Sequence, residues 1–276
     1  MKLQYLGTAA AEGVPGPFCD CEVCRRSRAA GGRNIRSRSQ ALIDDTLLID
    51  FPCDTFYHTI LAGLDFTRIR HCLVTHVHED HLYPAELSNF RKGFSHPPKD
   101  IPPFTFWGSP DVEAALKDEA AATGGRVAVK RLAPFVPTEV GSYTVTALKA
   151  AHGTPNPYIY LIEKGQRTLL YAHDSDDFPE ETWNYLTSQK PRLSFVSMDC
   201  TEGAREKMPY QGAHMCLGVN KLFREKLIRA GLAGESTPMC LNHFSHNGVN
   251  AMYNDFLPLA AAEGFLVSYD GMTVEF

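Results

Sequence analysis

Apolar residues in this chain come in short runs, broken by stretches rich in Gly, Pro, Asp and His. Runs of that length, bounded by turn formers, predict strands. Strands are predicted at Lys2–Leu6, Ser39–Ile43, Thr46–Asp50, His71–Thr75, Thr105–Trp107 and Arg126–Leu132. The series continues with Tyr143–Ala150, Tyr158–Glu163, Thr168–Ala172, Ser194–Met198, Met239–Asn242, Phe265–Val267 and Thr273–Phe276. The stretch from Tyr143 to Leu148 alternates polar and apolar, as a half-buried strand does. Helices are fewer. Pro110 suits the first turn of a helix that runs to Ala122 and stops at Gly124-Gly125. Pro179–Leu186 is acidic at its start, which complements the helix dipole. Leu217–Ala230 carries apolar residues near helical spacing and ends at Gly231, and Asn250–Leu257 is the fourth. Pattern alone gives an α/β chain with many short strands. Two β-rich halves with helices outside suggest a four-layer αββα sandwich. No internal repeat, low-complexity tract or linker divides the chain, so residues 1–276 are expected to form one domain.

Composition narrows the function. With 276 residues, 44% of them hydrophobic, the chain can bury a sizeable core. A formal charge of −5 argues against broad, non-specific grip on nucleic acid. Arg33, Arg36 and Arg38 make one basic run, open to two readings: a solvated loop or a pocket for a single phosphate. The opening Met1–Gly7 is too short and polar for a signal peptide, and no apolar run reaches the roughly 20 residues that span a bilayer. A cytoplasmic location with no membrane partner is expected. Thiols stay reduced there, so the eight cysteines are read as metal ligands or core residues before disulfides.

The chemistry is concentrated in His76-Val77-His78-Glu79-Asp80-His81, at the end of an apolar strand. In extended chain, His76 and His78 point the same way and can share one ion. If the chain then turns into a helix, Asp80 and His81 swing toward a second position. Imidazole and carboxylate are ligands that zinc, manganese and iron accept. One loop histidine is ordinarily a polar surface residue; three with an aspartate in six positions call for a metal.

The HxHxDH pattern resembles the metallo-β-lactamase superfamily, and the resemblance extends along nearly the whole chain. Thr46–Asp50 looks like the family's first motif, whose aspartate supports the metal site. His152 follows a strand as the third motif's histidine does. Asp174 matches the carboxylate that bridges two metals, with Asp176 and Asp177 as rivals, and His243 matches the last histidine ligand. The resemblance implies one divalent ion on His76, His78 and His152, a second on Asp80, His81 and His243, and Asp174 between them. It does not separate zinc from manganese. His173 is read as a supporting or surface residue; His58, His71 and His96 match no motif and are read as structural or exposed.

Cys19-Asp20-Cys21-Glu22-Val23-Cys24 places three thiols in six residues, a set that a structural zinc gathers readily. A CxCxxC after Gly7-Thr8…Gly13-Val14-Pro15 looks like one branch of the superfamily. That branch includes the phosphoribosyl cyclic phosphate phosphodiesterase of the carbon–phosphorus lyase pathway and protein B of pyrroloquinoline-quinone biosynthesis. By resemblance to the phosphodiesterase, His246 is the fourth ligand. Spacing alone puts His243 and His246 on one helical face and one ion; the resemblance splits them. Cys53, Cys72, Cys200, Cys216 and Cys240 are scattered, and Cys72 and Cys240 fall in predicted strands.

Two ions roughly 3.5–4 Å apart lower the pKa of a shared water from ~15.7 toward neutrality, and the hydroxide can attack phosphorus in line. A leaving alkoxide needs a proton, and His214, just before the Leu217 helix, is the candidate acid. The resemblance places a catalytic histidine at this helix head; the helix dipole is expected to ease its proton release. Thr201–Tyr210 departs from the phosphodiesterase pattern, with Arg205 and Tyr210 as candidates for substrate contact. The leading expectation is hydrolysis of a small, cyclic or linear phosphodiester, with Asp80 and His214 as catalytic residues. The alternatives are a ribonuclease Z-like nuclease and a cofactor-biosynthesis protein. Nucleic acid is disfavoured as a partner, and a homodimer is left open.

Overall fold

A computed structural model describes residues 1–206 and 214–276 of the chain. The first sheet takes β1 (Lys2–Gly7), β2 (Gln40–Ile43), β3 (Leu47–Ile49), β4 (His71–Leu73), β5 (Phe104–Gly108) and β6 (Val127–Arg131). The second takes β7 (Thr138–Val140), β8 (Tyr143–Lys149), β9 (Tyr158–Lys164), β10 (Arg167–Ala172), β11 (Phe195–Asp199), β12 (Met239–Asn242) and β13 (Leu266–Val267), while β14 (Thr273–Glu275) returns to the first. The strand orders are β14-β1-β2-β3-β4-β5-β6 and β13-β12-β11-β10-β9-β8-β7. Helices α1 (Glu22–Ala30), α2 (Thr55–Ala62), α3 (Pro110–Ala121), α4 (Glu180–Gln189), α5 (Leu217–Arg229) and α6 (Tyr253–Ala262) complete the set.

Alternation on fully buried strands produces the layering. Leu3, Tyr5, Ile43, Leu47 and Ile49 face Val145, Tyr160, Ile162 and Tyr171, so one core fills the gap between the sheets. The opposite faces carry Leu42, Leu48 and Phe106, which pack on Val112 and Leu116 of α3. On the other side Leu161, Leu170 and Val196 pack on Trp183, Phe223 and Phe256 of α4, α5 and α6. Three apolar seams separate four layers, the αββα sandwich that the pattern suggests.

Most expected elements form within a residue or two of their predicted ends. Among the described residues, β7, α1 and α2 are additional, as are two 3-10 helices at Gly32–Asn34 and Pro84–Phe90. Helix α1 has few apolar residues to mark a buried face, and β7 is three residues on a sheet edge. The last expected helix starts at Tyr253 rather than Asn250, because Asn250 takes a left-handed φ of 52°. No helix among the described residues is long and apolar enough to cross a membrane. Cys72 and Cys240 are core residues, as expected, and so are Cys200 and Cys216.

Candidate metal centre

All the site segments leave strands at the same end. Asp50 follows β3, His76 to His81 follow β4, His152 follows β8, Asp174 follows β10, Asp199 closes β11 and His243 follows β12. Strand ends fix the backbone while the loops beyond remain open to solvent. Asp50, Asp174 and His243 have left-handed φ values of 66°, 54° and 64°. Residues with a Cβ reach that region at a cost of about 1–3 kcal/mol, and such strain collects at functional sites.

The expected cluster assembles, without the expected helix. After His78 the chain makes a turn, with the amide N–H groups of His81 and Leu82 both donating to the His78 carbonyl at 2.9 and 2.8 Å. A turn is sufficient to bring Asp80 and His81 back beside His76. Two of the resulting donor groups draw on His76 to His81; a third joins Asp174, Asp199, His214 and His243. His76, His78, His152 and Asp174 form one; Asp80, His81, Asp174 and His243 form the other. Within each group the ligand atoms lie within 4.8 Å of one another, and Asp174 belongs to both. His76 Nε2 is 3.0 Å from His78 Nδ1 and 3.1 Å from Asp174 Oδ2. His81 Nε2 lies 3.2 Å from His243 Nε2, 3.2 Å from Asp174 Oδ2 and 3.3 Å from Asp80 Oδ2. A tetrahedral zinc with bonds of 2.0–2.1 Å has ligand–ligand edges of about 3.4 Å. Nitrogens and oxygens gathered at that spacing fit divalent ions.

Neighbours orient the ligands. Asp50 is fully buried; its Oδ2 lies 2.7 Å from His81 Nδ1, and its Oδ1 accepts from the Thr75 N–H and hydroxyl at 2.8 and 2.9 Å. That bond turns His81 Nε2 toward the cluster. His243 Nδ1 meets Thr201 Oγ1 at 2.8 Å and Asp199 Oδ2 at 3.3 Å, which leaves Nε2 for the ligand group.

Asp199, together with Thr201, is what the sequence reading missed. Its carboxylate is buried and accepts from the backbone N–H of Met215 and of Thr201 at 2.8 and 3.0 Å. Its Oδ2 lies 3.2 Å from His214 Nδ1. The available signal was position: like Asp50 and Asp174, Asp199 stands at the end of an apolar strand.

Charge balance around His214 reverses the expected dipole effect. Burial favours its neutral form, but Asp199 and Asp174 outweigh burial and raise its pKa to about 11. Asp174 Oδ1 is 3.0 Å from His214 Nδ1. The same competition raises His243 to about 9, with burial opposed by Asp174, Asp199 and Asp80. Burial would raise Asp80 and Asp174, yet imidazoles hold both below the ordinary carboxylate range, His81 foremost for Asp80 and His243 foremost for Asp174. His76, Asp80, His81, Asp174 and His243 form a buried floor, and His78, His152 and His214 stand at the open side.

A second cluster joins Cys19, Cys21, Cys24 and His246. Cys19 Sγ and Cys21 Sγ lie 3.8 and 3.7 Å from His246 Nδ1. A tetrahedral zinc with bonds of ~2.3 Å to sulfur and ~2.0 Å to nitrogen has edges near 3.6 Å, so the donors fit. Cys21 also caps α1 by accepting from the Cys24 N–H at 3.4 Å. His243 and His246 stand in different clusters, against the reading from spacing alone, because no helix places them on one face.

Other expectations need correction. The arginine run divides, with Arg33 exposed, Arg38 half-buried and Arg36 buried. Arg36 is buried, donates to Thr8 Oγ1 and the Ser268 carbonyl at 2.8 Å each, and lies 4.2 Å from the centre of the Phe244 ring. Arg33 stacks on Tyr269, and Arg38 pairs with Asp54. Asp177, a rival to Asp174, accepts instead from Trp183 Nε1 at 2.8 Å and pairs with Lys226. His173 is buried, with Nε2 2.6 Å from Ser197 Oγ and Nδ1 3.0 Å from Asn242 Nδ2, so it is no surface residue. The Arg205 guanidinium faces the Asn247 carbonyl and Glu202. Tyr210 lies outside the described residues.

The family model described as the beta-lactamase superfamily domain matches residues 51–216. No curated protein matches the sequence significantly. Among solved structures, one described as a new diphosphatase from the PhnP family is 21% identical, covers 100% of this chain and 97% of its own, and superposes with a TM-score of 0.74. Zn2+-bound PqqB from Methylobacterium extorquens is 18% identical over the whole of both chains, with a TM-score of 0.72. The short form of human tRNase Z is 14% identical, over 100% of this chain and 99% of its own, with a TM-score of 0.66. At these identities the likeness is one of fold.

Proposed function

Because the chain belongs to the beta-lactamase superfamily domain family, we propose that it is a metal-dependent phosphodiesterase that hydrolyses a small, cyclic or linear phosphodiester. His76, His78 and His152 hold one divalent ion in this reading, Asp80, His81 and His243 hold the other, and Asp174 serves both. Such ions supply Lewis acidity and a water of lowered pKa. Zinc and manganese both suit this donor set. A structural zinc sits on Cys19, Cys21, Cys24 and His246.

The observation that carries the reading is the pairing of Asp199 with His214 at the open side of the buried ligand floor. Hydrolysis of a phosphodiester whose leaving group is an alkoxide needs a proton donor for the leaving oxygen. Asp199 and Asp174 both favour the charged form of His214, the form that carries such a proton. Asp199 accepts from Nδ1–H, which makes Nε2 the nitrogen that gives its proton to the leaving group. Asp50 fixes the His81 ring through Nδ1, and Thr201 and Asp199 fix His243, so the floor keeps its shape as charge develops on the phosphoryl oxygens.

The test is hydrolysis by zinc- or manganese-loaded protein of bis(p-nitrophenyl) phosphate, ribose cyclic phosphates, 2′,3′-cyclic nucleotides, an organic diphosphate and precursor tRNA. Preference for a small cyclic or linear diester supports the reading. Faster cleavage of the tRNA would replace it with a nuclease, and faster cleavage of the diphosphate with a diphosphatase. Loaded protein inert to every phosphoester would end it.

A further inference from the structure

Three strands that end at the metal centre, β10, β11 and β12, also send polar side chains into the gap between the sheets. Tyr171, Phe195 and Cys240 line the apolar core there. Side chains two residues apart in extended chain share a face, so His173, Ser197 and Asn242 enter the same gap. With Tyr5 of β1 and Ser268 just beyond β13, they are at most 1% exposed. Taking a polar group from water costs free energy unless it is hydrogen-bonded, and these groups bond to one another. Tyr5 Oη lies 2.6 Å from Ser197 Oγ, and Ser197 Oγ lies 2.6 Å from His173 Nε2. Asn242 Nδ2 donates to His173 Nδ1 at 3.0 Å, and Asn242 Oδ1 accepts from Ser268 Oγ at 2.5 Å.

Position gives these bonds a use. His173 precedes Asp174, and Asn242 precedes His243, two members of the donor group Asp80, His81, Asp174 and His243. Strand β11 lies between β10 and β12, so no ladder joins the strands that carry the two. Asp199 links them from the metal side: it accepts from the Asp174 N–H at 3.2 Å and meets His243 Nδ1 at 3.3 Å. The His173–Asn242 bond links them from the core side, across β11. Directly after it both backbones turn left-handed, with φ of 54° at Asp174 and 64° at His243. Such a conformation persists only where its surroundings over-determine it. Stability alone does not call for a polar bridge, since an apolar pair of the same shape can be nearly neutral in its place.

We infer, on the two-ion reading proposed above, that His173 and Asn242 are positioning residues for the second ion. Their bond sets the separation of Asp174 and His243 and so tunes that site without touching the ion. The first ion depends on it less. His76, His78 and His152 supply three of its four donors, and none of the three adjoins His173 or Asn242 in the chain. The bridge also fixes a tautomer. An amide N–H needs an acceptor, so His173 Nδ1 is bare, and Nε2 carries the hydrogen and donates it to Ser197 Oγ.

The test titrates the full chain with manganese(II) once zinc has filled the cysteine cluster. Two manganese ions sharing one carboxylate should give the wild type an exchange-coupled paramagnetic resonance spectrum. His173→Leu fills the space but cannot accept a hydrogen bond. It should raise the second ion's dissociation constant ~10–100-fold and leave the first ion's close to the wild-type value, so that a single bound ion gives an uncoupled spectrum. His173→Asn, whose Oδ1 can replace Nδ1 as acceptor, should restore the coupled pair. A role confined to fold stability would instead lower the melting temperature and move both ions together, with no rescue by Asn. Asn242→Leu cuts the bridge from its other end, should His173→Leu fail to fold. Nitrogen NMR of the wild-type histidine rings needs no variant: a hydrogen on His173 Nδ1 would overturn the inference. A His173→Leu chain that binds both ions with wild-type affinity would overturn it too, while the two-ion reading stands. A wild type that takes up no pair of manganese or zinc ions outside the cysteine cluster removes that reading, and the positioning role with it.

Discussion

Asp199 Oδ2 stands 3.2 Å from His214 Nδ1 and 3.3 Å from His243 Nδ1, so one carboxylate oxygen touches both a histidine of the candidate metal centre and the candidate acid. Replacing Asp199 with Asn should keep the shape and lose the charge. We expect kcat to fall ~10²–10³-fold on substrates with poor leaving groups, and much less on bis(p-nitrophenyl) phosphate, whose leaving group needs no proton. His214→Ala should show the same split. Measured rates against leaving-group pKa decide it: equal slopes for wild type and His214→Ala would remove the acid.

Asp50 is wholly buried and holds His81 and Thr75. Asp50→Ala should weaken metal binding by ~10–100-fold. It should also destabilise the fold by several kcal/mol, since it strands two polar partners in the core. Competition with a chelator of known affinity measures the first effect, and thermal unfolding the second. Unchanged affinity would show that His81 needs no such support.

Metal uptake should release protons. In the metal-free chain, carboxylates raise His81 well above its ordinary value and His243 to about 9, although burial opposes both. The surrounding carboxylates favour the charged form of each, whereas a coordinating nitrogen must be neutral. Lowering the pH therefore weakens binding. Calorimetric titration with zinc in buffers of different ionisation enthalpy should report proton release at pH 7. No release would mean that neither histidine is a ligand.

Cys21 both offers a thiolate to the four-donor cluster and caps α1. Cys21→Ser should lower the zinc count of purified protein by one and lower the melting temperature, because metal binding there stabilises the fold. Elemental analysis is direct. An unchanged count would refute the structural zinc.

Burial pushes the His58 pKa down to about 4, with Asp54 a lesser, opposing influence. The folded state thus resists a proton that the unfolded chain takes up near pH 6.5. Stability linked to His58 is complete above pH 6.5, and falls as pH drops from 6.5 toward 4, by up to about 3 kcal/mol. Melting temperature against pH should fall less steeply for His58→Gln than for the wild type; parallel curves would show that His58 is not the group responsible.

Much of this was legible because the chemistry is local. His76 to His81 announce themselves in six positions, and Cys19 to Cys24 likewise. Period-two burial made the strands readable even where both faces are covered. What stayed hidden depends on distant partners. Asp199 looked like the last residue of a strand, and only the fold brings His214 and His243 to it. Helix α2 was missed because its apolar Phe56, Tyr57, Ile60 and Leu61 are exposed and have no core to face. The pKa of His214 could not follow from its place before a helix, since two carboxylates from other strands dominate it.

The shared end of the strands has a use in engineering. The opposite rim holds the β2–β3 turn, the β7–β8 turn and the β9–β10 hairpin, tied together where Asp44 meets Lys164 and Tyr143. Gly165 and Gln166 are exposed there, and none of the described centre's side chains comes from that rim. Reporter domains or affinity handles spliced between those two residues would sit a full strand's length from the chemistry, leaving catalysis and metal loading intact.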